Sequence, residues 1–208
     1  MRRFLYMALV FSCAAWVTSC NSTKKDQGSK TLVIIDGVAP ASDPSIPNAV
    51  GTGSYDALQL KYSKYINVPP KQITNLQLYH VIDYWLNTPY KWGGTDEKGI
   101  DCSAFVQKLL VDGYGIYIQR TSNDQFLGEL MNRFASTKHL SEGDLVFFKT
   151  LDNGMPVTHV GMYLDNDFFV NSSSSKGVSI ASLKDPYWSN RYVAAGRVIV
   201  KNKQSAKK

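Results

Sequence analysis

Histidine and cysteine are scarce in this 208-residue chain, with three of each, and the shortage excludes a good deal. His80, His139 and His159 are scattered, and none stands in a metal-ligand spacing such as H-E-x-x-H. A zinc hydrolase is therefore not indicated, and neither a metal nor a cofactor is expected. No stretch after residue 20 is long and apolar enough to span a bilayer, so the remainder reads as water-soluble. Excess charge is also thin. Of the net +6, two charges belong to Arg2 and Arg3, and Lys201, Lys203, Lys207 and Lys208 equal all the rest. The body of the chain is near neutral, which gives no footing for nucleic-acid recognition.

The N-terminus supplies the first positive signal. Arg2 and Arg3 are followed by a mostly apolar run from Phe4 to Val17, then by Val17-Thr18-Ser19-Cys20. A basic start, an apolar middle and small residues before a cleavage point describe an export signal. The run is too short to span a bilayer comfortably. The four residues ending at Cys20 resemble the bacterial lipobox, which implies that Cys20 is diacylated, becomes the new N-terminus and is often acylated again. Two or three acyl chains suffice for stable anchoring where one does not. By the same resemblance, Asn21 points to the outer membrane of a Gram-negative cell envelope, facing the periplasm.

The cysteines then sort themselves. Cys13 leaves with the signal, Cys20 takes lipid and Cys102 remains alone. Cysteines in an oxidising compartment pair by default, but one cysteine has no partner within its chain. Cys102 is either a small buried hydrophobe or a reactive group.

Residues 21–53 are polar and rich in Ser, Thr, Lys, Gly and Pro, and read as a flexible tether reaching roughly 30 Å. The one apolar patch there, Leu32 to Ile35, is read as a strand or as part of the tether. Folded structure is expected from about Ser54, first as a short helix from Tyr55 to Ile66. A longer helix is predicted with Thr74 as its cap and Leu76, Tyr79, Ile82 and Leu86 at helical spacing, stopping before Pro89. After the glycine-rich loop YKWGGTDEKGI, Asp101 is a good N-cap for a helix whose Phe105, Val106, Leu109 and Leu110 form an apolar stripe. Gly113 is predicted to end it. Ser122-x-x-Gln125 reads as a capping box for a further helix. From Gly143 the pattern changes to short strands: Asp144 to Lys149, His159 to Leu164, Phe168 to Ser173, Val178 to Leu183, and a last one near Ala195 to Val200. Helices first and strands second predict an α+β fold with antiparallel pairing.

This layout puts Cys102 in the first turn of a helix, where unpaired N–H groups and a partial positive charge favour the thiolate. Asp101 acts in the opposite direction, so activation needs a base. His80, in a helical pattern, and His139, in a polar stretch, read as ordinary histidines. His159 has better geometry. If the strands beginning at His159 and Phe168 form a hairpin around Asp165-Asn166-Asp167, Gly161 faces Asn171 and His159 faces Ser173. His159 and Asn171 then become diagonal neighbours on one face, with Val160, Met162, Leu164, Phe168 and Val170 on the other. A two-residue loop would separate the pair onto opposite faces. Asn171 is either an exposed strand-end residue or the acceptor of the His159 ring N–H.

Five segments now stand in order: Tyr90-x-x-Gly93-Gly94-Thr95, Gly99-Ile100-Asp101-Cys102-Ser103-Ala104-Phe105-Val106, Arg120-Thr121-Ser122, Gly143-Asp144-Leu145-Val146 and His159-Val160-Gly161-Met162-Tyr163. Together they resemble the NlpC/P60 cell-wall cysteine peptidases, most closely the Spr-type murein endopeptidase lipoproteins, over about residues 74–198. The resemblance implies a papain-like fold, with N-terminal helices packed on an antiparallel sheet. It implies Cys102 as nucleophile, His159 as base, and Tyr90 with the Cys102 N–H near the oxyanion; Asp101 and Ser103 are carried over as oxyanion- or substrate-binding residues. Asn171 stands where the closest relatives usually have histidine, although papain-like enzymes elsewhere use asparagine there.

The expected organisation is a signal peptide (1–19), lipidated cysteine and tether (20–53), catalytic domain (54–200) and basic tail (201–208). The implied substrate is peptidoglycan stem peptide and the expected state a monomer. Two amide bonds are open, the γ-D-glutamyl bond within a stem and the D,D cross-link between stems. The competing reading is a lipid-tethered wall-binding module without activity.

Overall fold

The computed structural model describes residues 55–199. The expected signal peptide, Cys20, Asn21, the expected tether with its Leu32–Ile35 patch and the basic tail lie outside the described residues. No helix among those described is long and apolar enough to cross a membrane.

Helices α1 (Ala57–Ile66), α2 (Leu76–Trp85), α3 (Cys102–Tyr114) and α4 (Ser122–Leu127) come first in the chain, with a small ladder of β1 (Thr95–Asp96) and β2 (Gly99–Ile100) before α3. The strands β3 (Met131–Phe134), β4 (Leu145–Phe148), β5 (His159–Asp165), β6 (Phe168–Ser173), β7 (Gly177–Ser182) and β8 (Tyr192–Val198) follow, with a four-residue helix α5 (Pro186–Ser189) before the last. The six long-range strands form one sheet in the order β3-β8-β4-β5-β6-β7. Every pairing in it is antiparallel, as the run of strands predicts.

Alternation along the strands builds two apolar layers. On the helix side, Leu145, Phe147, Val160, Met162, Leu164 and Val170 pack with Leu78, Ile82, Phe105, Val106 and Leu109 of α2 and α3. On the far side, Val146, Phe148, Tyr163, Phe169 and Ala195 pack with Leu183 and Trp188, carried by the chain between β7 and β8. The sheet is thus covered on both faces at its centre, which is why the Leu145–Phe148 strand is apolar at consecutive positions.

Helix limits differ from the sequence reading in four places, the first being α1, which begins at Ala57 behind its Asp56 cap instead of at Tyr55. The cap of α2 is Asn75, whose side chain accepts from the Leu78 N–H at 3.2 Å, while Thr74 is exposed; the cap is whichever side chain reaches that orphan donor. Helix α3 runs through Gly113, where even a Cβ would make only ordinary contact with Leu78, and ends at Gly115 with φ 68°. Thr121, not Ser122, caps α4 by accepting from the Asp124 N–H, and Gln125 is buried instead of completing a capping box.

The β5–β6 hairpin has the expected register with a different turn. Met162 pairs with Val170 and Tyr163 with Phe169, but Asp165 pairs with Phe168. The turn is therefore two residues, Asn166 and Asp167, both with positive φ as a tight hairpin requires. Leu164 is the extra residue of a bulge, which cancels the face reversal that a two-residue loop would otherwise impose. The Asn166 amide also donates to the Ile66 and Asn67 carbonyls at 3.0 and 3.1 Å, tying the hairpin tip to the end of α1.

Candidate active site

Cys102 stands at the start of α3 because Asp101 caps that helix, its Oδ1 accepting from the Ala104 N–H at 2.7 Å. The segment that leads into it is fixed from several sides. Tyr90 bridges to Ile100, the Ile100 N–H donates to the Pro89 carbonyl, and the Asp101 N–H donates to the Gly94 carbonyl. A Cβ on Gly94 would collide with the Gly99 carbonyl oxygen, so this turn closes only on glycine. From the sheet, the Ser172 hydroxyl donates to the Ile100 carbonyl at 2.7 Å. Helix α3 thereby starts in register with β6, and it packs across β5 and β6.

The Cys102 side chain is buried, and burial pushes its thiol up to about 11. The backbone N–H of Val160 on β5 works against this, as do the Ser103 and Cys102 N–H groups at the helix start, while the Asp101 charge adds to the rise. Contact with the Val160 N–H places the thiol against β5 one residue from His159. His159 is 6% exposed, and burial lowers it to about 4 although Asn171 favours its charged form. Thiol and neutral imidazole are the resting species at neutral pH.

Asn171 reaches His159 as the hairpin register predicts. Asn171 Oδ1 lies 3.1 Å from His159 Nε2, and Asn171 Nδ2 donates to the Ser179 carbonyl at 3.3 Å. The second bond settles the first: with the amide nitrogen directed at Ser179, the oxygen faces the ring. Nε2 must then carry the hydrogen, which leaves the Nδ1 lone pair as the basic site. Asn171 is 1% exposed, so it is not the exposed strand-end residue of the alternative reading. Continuing the register, Asn171 lies opposite Gly161, which has no side chain to separate it from His159.

Tyr90 is half-buried, and burial together with the nearby Cys102 and Asp101 pushes its phenol up to about 12, so it is a hydrogen-bond donor at neutral pH. Asp101 and Ser103 are buried in a network that sequence reasoning missed. Arg120 donates from Nη1 to Asp101 Oδ1 at 3.0 Å and to Ser103 Oγ at 2.9 Å, and from Nη2 to Asp101 Oδ2 at 2.6 Å. Ser103 Oγ donates in turn to Asp101 Oδ1 at 3.0 Å. Burial would raise the Asp101 carboxyl, but Arg120, the Ala104 N–H and Ser103 outweigh it and hold it below the usual range. Gln125 extends the network, donating to the Ser103 and Gln119 carbonyls at 3.0 and 2.9 Å.

A second residue missed from sequence is Trp188 on α5, whose ring stacks on His159 with centroids 5.0 Å apart and planes at 29°. His80 and His139 are exposed and stand apart from this arrangement. Among the described residues, no three His, Cys, Asp or Glu side chains converge as metal ligands.

A cysteine at the head of a helix, packed on an antiparallel sheet that carries a histidine and an amide on neighbouring strands, defines a papain-like α+β protein. The NlpC/P60 family model matches residues 87–197, more than half of the chain, and the chain belongs to that family. It is 40% identical over 115 residues to the murein DD-endopeptidase MepS/murein LD-carboxypeptidase of Escherichia coli strain K12, covering 55% of this chain and 58% of that protein. It is 37% identical over 123 residues to a probable endopeptidase NlpC homolog of Haemophilus influenzae, covering 59% of this chain and 62% of that one. The chain thus spans less than two thirds of the length of these relatives. A crystal structure of an NlpC/P60 family protein from Bacillus cereus superposes with a TM-score of 0.52 at 30% identity, covering 61% of this chain and 41% of that one.

Proposed function

We propose that this protein is a cysteine-type peptidoglycan endopeptidase that cleaves amide bonds of stem peptides. The observation that carries the reading is the contact of Asn171 Oδ1 with His159 Nε2, which the bond from Asn171 Nδ2 to the Ser179 carbonyl orients and which favours the Nε2–H tautomer, on the strand whose next N–H meets the Cys102 thiol. A buried imidazole held in one tautomer beside a helix-start thiol is a general base with a nucleophile.

In the proposed reaction the Cys102 proton passes to His159 Nδ1 and the sulfur attacks the carbonyl carbon of the substrate amide. The oxyanion is met by the Cys102 N–H and the Tyr90 hydroxyl. His159 returns its proton to the departing amine as the C–N bond breaks, leaving a thioester. Water, deprotonated by His159, then hydrolyses the thioester and restores the thiol. Asn171 orients the ring, since a neutral amide offers the imidazolium less than a carboxylate would. Asp101 and Ser103 serve through Arg120, fixing the turn that presents the sulfur beside the substrate. The D,D cross-link is the first bond to assay, because the Escherichia coli relative is named for it; the γ-D-glutamyl bond is the second.

We also propose that Cys20 is acylated and holds the domain at the cell envelope, in the outer membrane facing the periplasm, as a monomer. The lipobox-like Val17-Thr18-Ser19-Cys20 supports this. The test of the function is digestion of purified peptidoglycan, with released muropeptides identified by mass. The parent is expected to release products and Cys102→Ala none. Equal digestion by both would refute the thiol mechanism, and binding without digestion by the parent would establish the inactive wall-binding module instead.

A further inference from the structure

One hydrogen bond does not orient an imidazole. The contact from Asn171 Oδ1 to His159 Nε2 fixes the direction of one ring nitrogen, but the ring still turns about that axis, and Nδ1 swings with it. The second constraint must act out of plane, and the structure contains one. The Trp188 ring lies over the His159 face at 5.0 Å and 29°, a stacked arrangement. Phe148 meets His159 at 6.0 Å with the planes tilted by 52°.

Trp188 is itself held. Helix α5 is capped by Asp185, whose Oδ1 accepts from the Tyr187 N–H at 2.7 Å, and the Trp188 N–H donates to the Asp185 carbonyl at 3.0 Å. The indole packs edge-on to Phe169 at 5.2 Å and 90°, tilted against Phe148 at 4.9 Å, and edge-on to Tyr187 at 4.9 Å. Only 8% of the residue is exposed. A tryptophan fixed by three aromatic neighbours is a wall, and the imidazole is laid against it.

Resting on the peptidase reading above, we propose that Trp188 is a positioning residue for the His159 base: its stacked ring sets the plane of the imidazole while Asn171 sets its direction. The amide at position 171 makes the wall more important. With no charge opposite Nε2 to hold the ring electrostatically, alignment of Nδ1 with the substrate and the sulfur depends on geometry alone. Phenylalanine keeps a flat face at this position, whereas leucine fills space without one.

The experiment compares the parent, Trp188→Phe and Trp188→Leu in the full chain by two readouts. The first, nuclear magnetic relaxation of the His159 ring Cε1–H, needs no substrate and so stands even if peptidoglycan is not the substrate. A rigid ring is expected in the parent and in Trp188→Phe, and a mobile one in Trp188→Leu. The second is turnover on peptidoglycan, where Trp188→Leu is expected to lower kcat by tenfold to a hundredfold with KM changed less than twofold, and Trp188→Phe to recover to within threefold of the parent. Should Trp188→Leu fail to fold, Trp188→Met takes its place and the parent's own ring mobility remains decisive. A mobile ring in the parent, an equally rigid ring in Trp188→Leu, or a loss confined to KM would each overturn the assignment.

Discussion

Removal of Arg120 is expected to damage the site without touching it. Its guanidinium holds both oxygens of Asp101, and Asp101 in turn caps the helix that carries Cys102. In Arg120→Met the carboxylate keeps its cap bond and the Ser103 hydroxyl but loses its counter-charge in a place where the residue is only 8% exposed. Breaking a fully buried pair by removing one partner costs about 3–5 kcal/mol. The Arg120 side chain is 39% exposed, so part of that interaction is already screened; a loss of roughly 2 kcal/mol is the reasoned figure. For a domain of this size that corresponds to a Tm lowered by roughly 4–8 °C. The Asp101 charge already raises the Cys102 thiol, and without Arg120 it does so unopposed, so turnover is expected to fall as well.

The decisive comparison is a double-mutant cycle by urea unfolding. Asparagine at position 101 caps a helix as well as aspartate does and brings no charge. Asp101→Asn alone leaves Arg120 free to reach water and is expected to cost about 1 kcal/mol or less. In the Arg120→Met background the same change is expected to restore stability, because it removes the stranded charge. A cycle in which Arg120→Met costs under about 0.5 kcal/mol and Asp101→Asn rescues nothing would refute the network as the device that sets the helix start.

Asn171→Ala is expected to lower turnover on the order of tenfold to a thousandfold, less than loss of the nucleophile, and Asn171→His to restore much of it; parental turnover in Asn171→Ala would show that ring orientation comes from elsewhere. Gly161→Ala places a Cβ 2.6 Å from the Phe169 ring and 2.8 Å from the Val170 carbonyl, and thermal unfolding is expected to register a loss of roughly 1–3 kcal/mol. Cys20→Ala is expected to abolish metabolic fatty-acid labelling and release the protein; labelling that persists would sink the lipobox reading. Because the His159 imidazole is held at about 4 against an ordinary 6.5, the unfolded chain binds a proton between these values and the folded one does not. About 3 kcal/mol of stability present above pH 6.5 is therefore expected to be lost on acidification to pH 4, and urea titrations of His159→Gln are expected to lack that share of the slope.

The parts of the site legible in the sequence are those set by period and by one-sided chemistry. Residues 159–164 alternate cleanly, but Phe168-Phe169-Val170 is apolar at consecutive positions, so the face shared by His159 and Asn171 follows from the pattern only with a turn that keeps the three-residue register. The turn itself was misread, because Asp165-Asn166-Asp167 is equally good as two residues plus a bulge, and alternation is blind to a compensated insertion. Helix starts shifted by one residue for a related reason: Thr74 and Asn75, or Thr121 and Ser122, are all competent caps, and only the fold decides which side chain reaches the third N–H. Strand β3 escaped because Met131-Asn132-Arg133-Phe134 has no alternation, and it pairs at the sheet edge on the strength of β8. The role of Arg120, named only within a motif, and Trp188 altogether escaped for a deeper reason. Their partners are 19 and 29 residues away in the chain, and nothing local marks a guanidinium that will find a helix cap or an indole that will find an imidazole.

These long-range contacts bear on how a pair as dry as Cys102 and His159 ionises. With the thiol at about 11 and the imidazole at about 4, moving a proton between them as separate ions would cost on the order of 10 kcal/mol. Ions brought to about 4 Å of each other recover about 4 kcal/mol at an intermediate dielectric, and the N–H groups of Val160, Ser103 and Cys102 already count in the sulfur's favour. The remainder falls within the range of an ordinary enzymatic barrier, but only if the geometry is right at the moment of transfer, since every part of the recovery weakens with distance. Under the proposed mechanism this is the reason that the site contains so much scaffolding and so little charge. Arg120 cancels the one nearby carboxylate, Ser179 orients the amide, the amide fixes the tautomer and Trp188 flattens the ring. Under the same proposal the nucleophile rests as a thiol, the less oxidisable form, and ionises in step with the substrate that uses it.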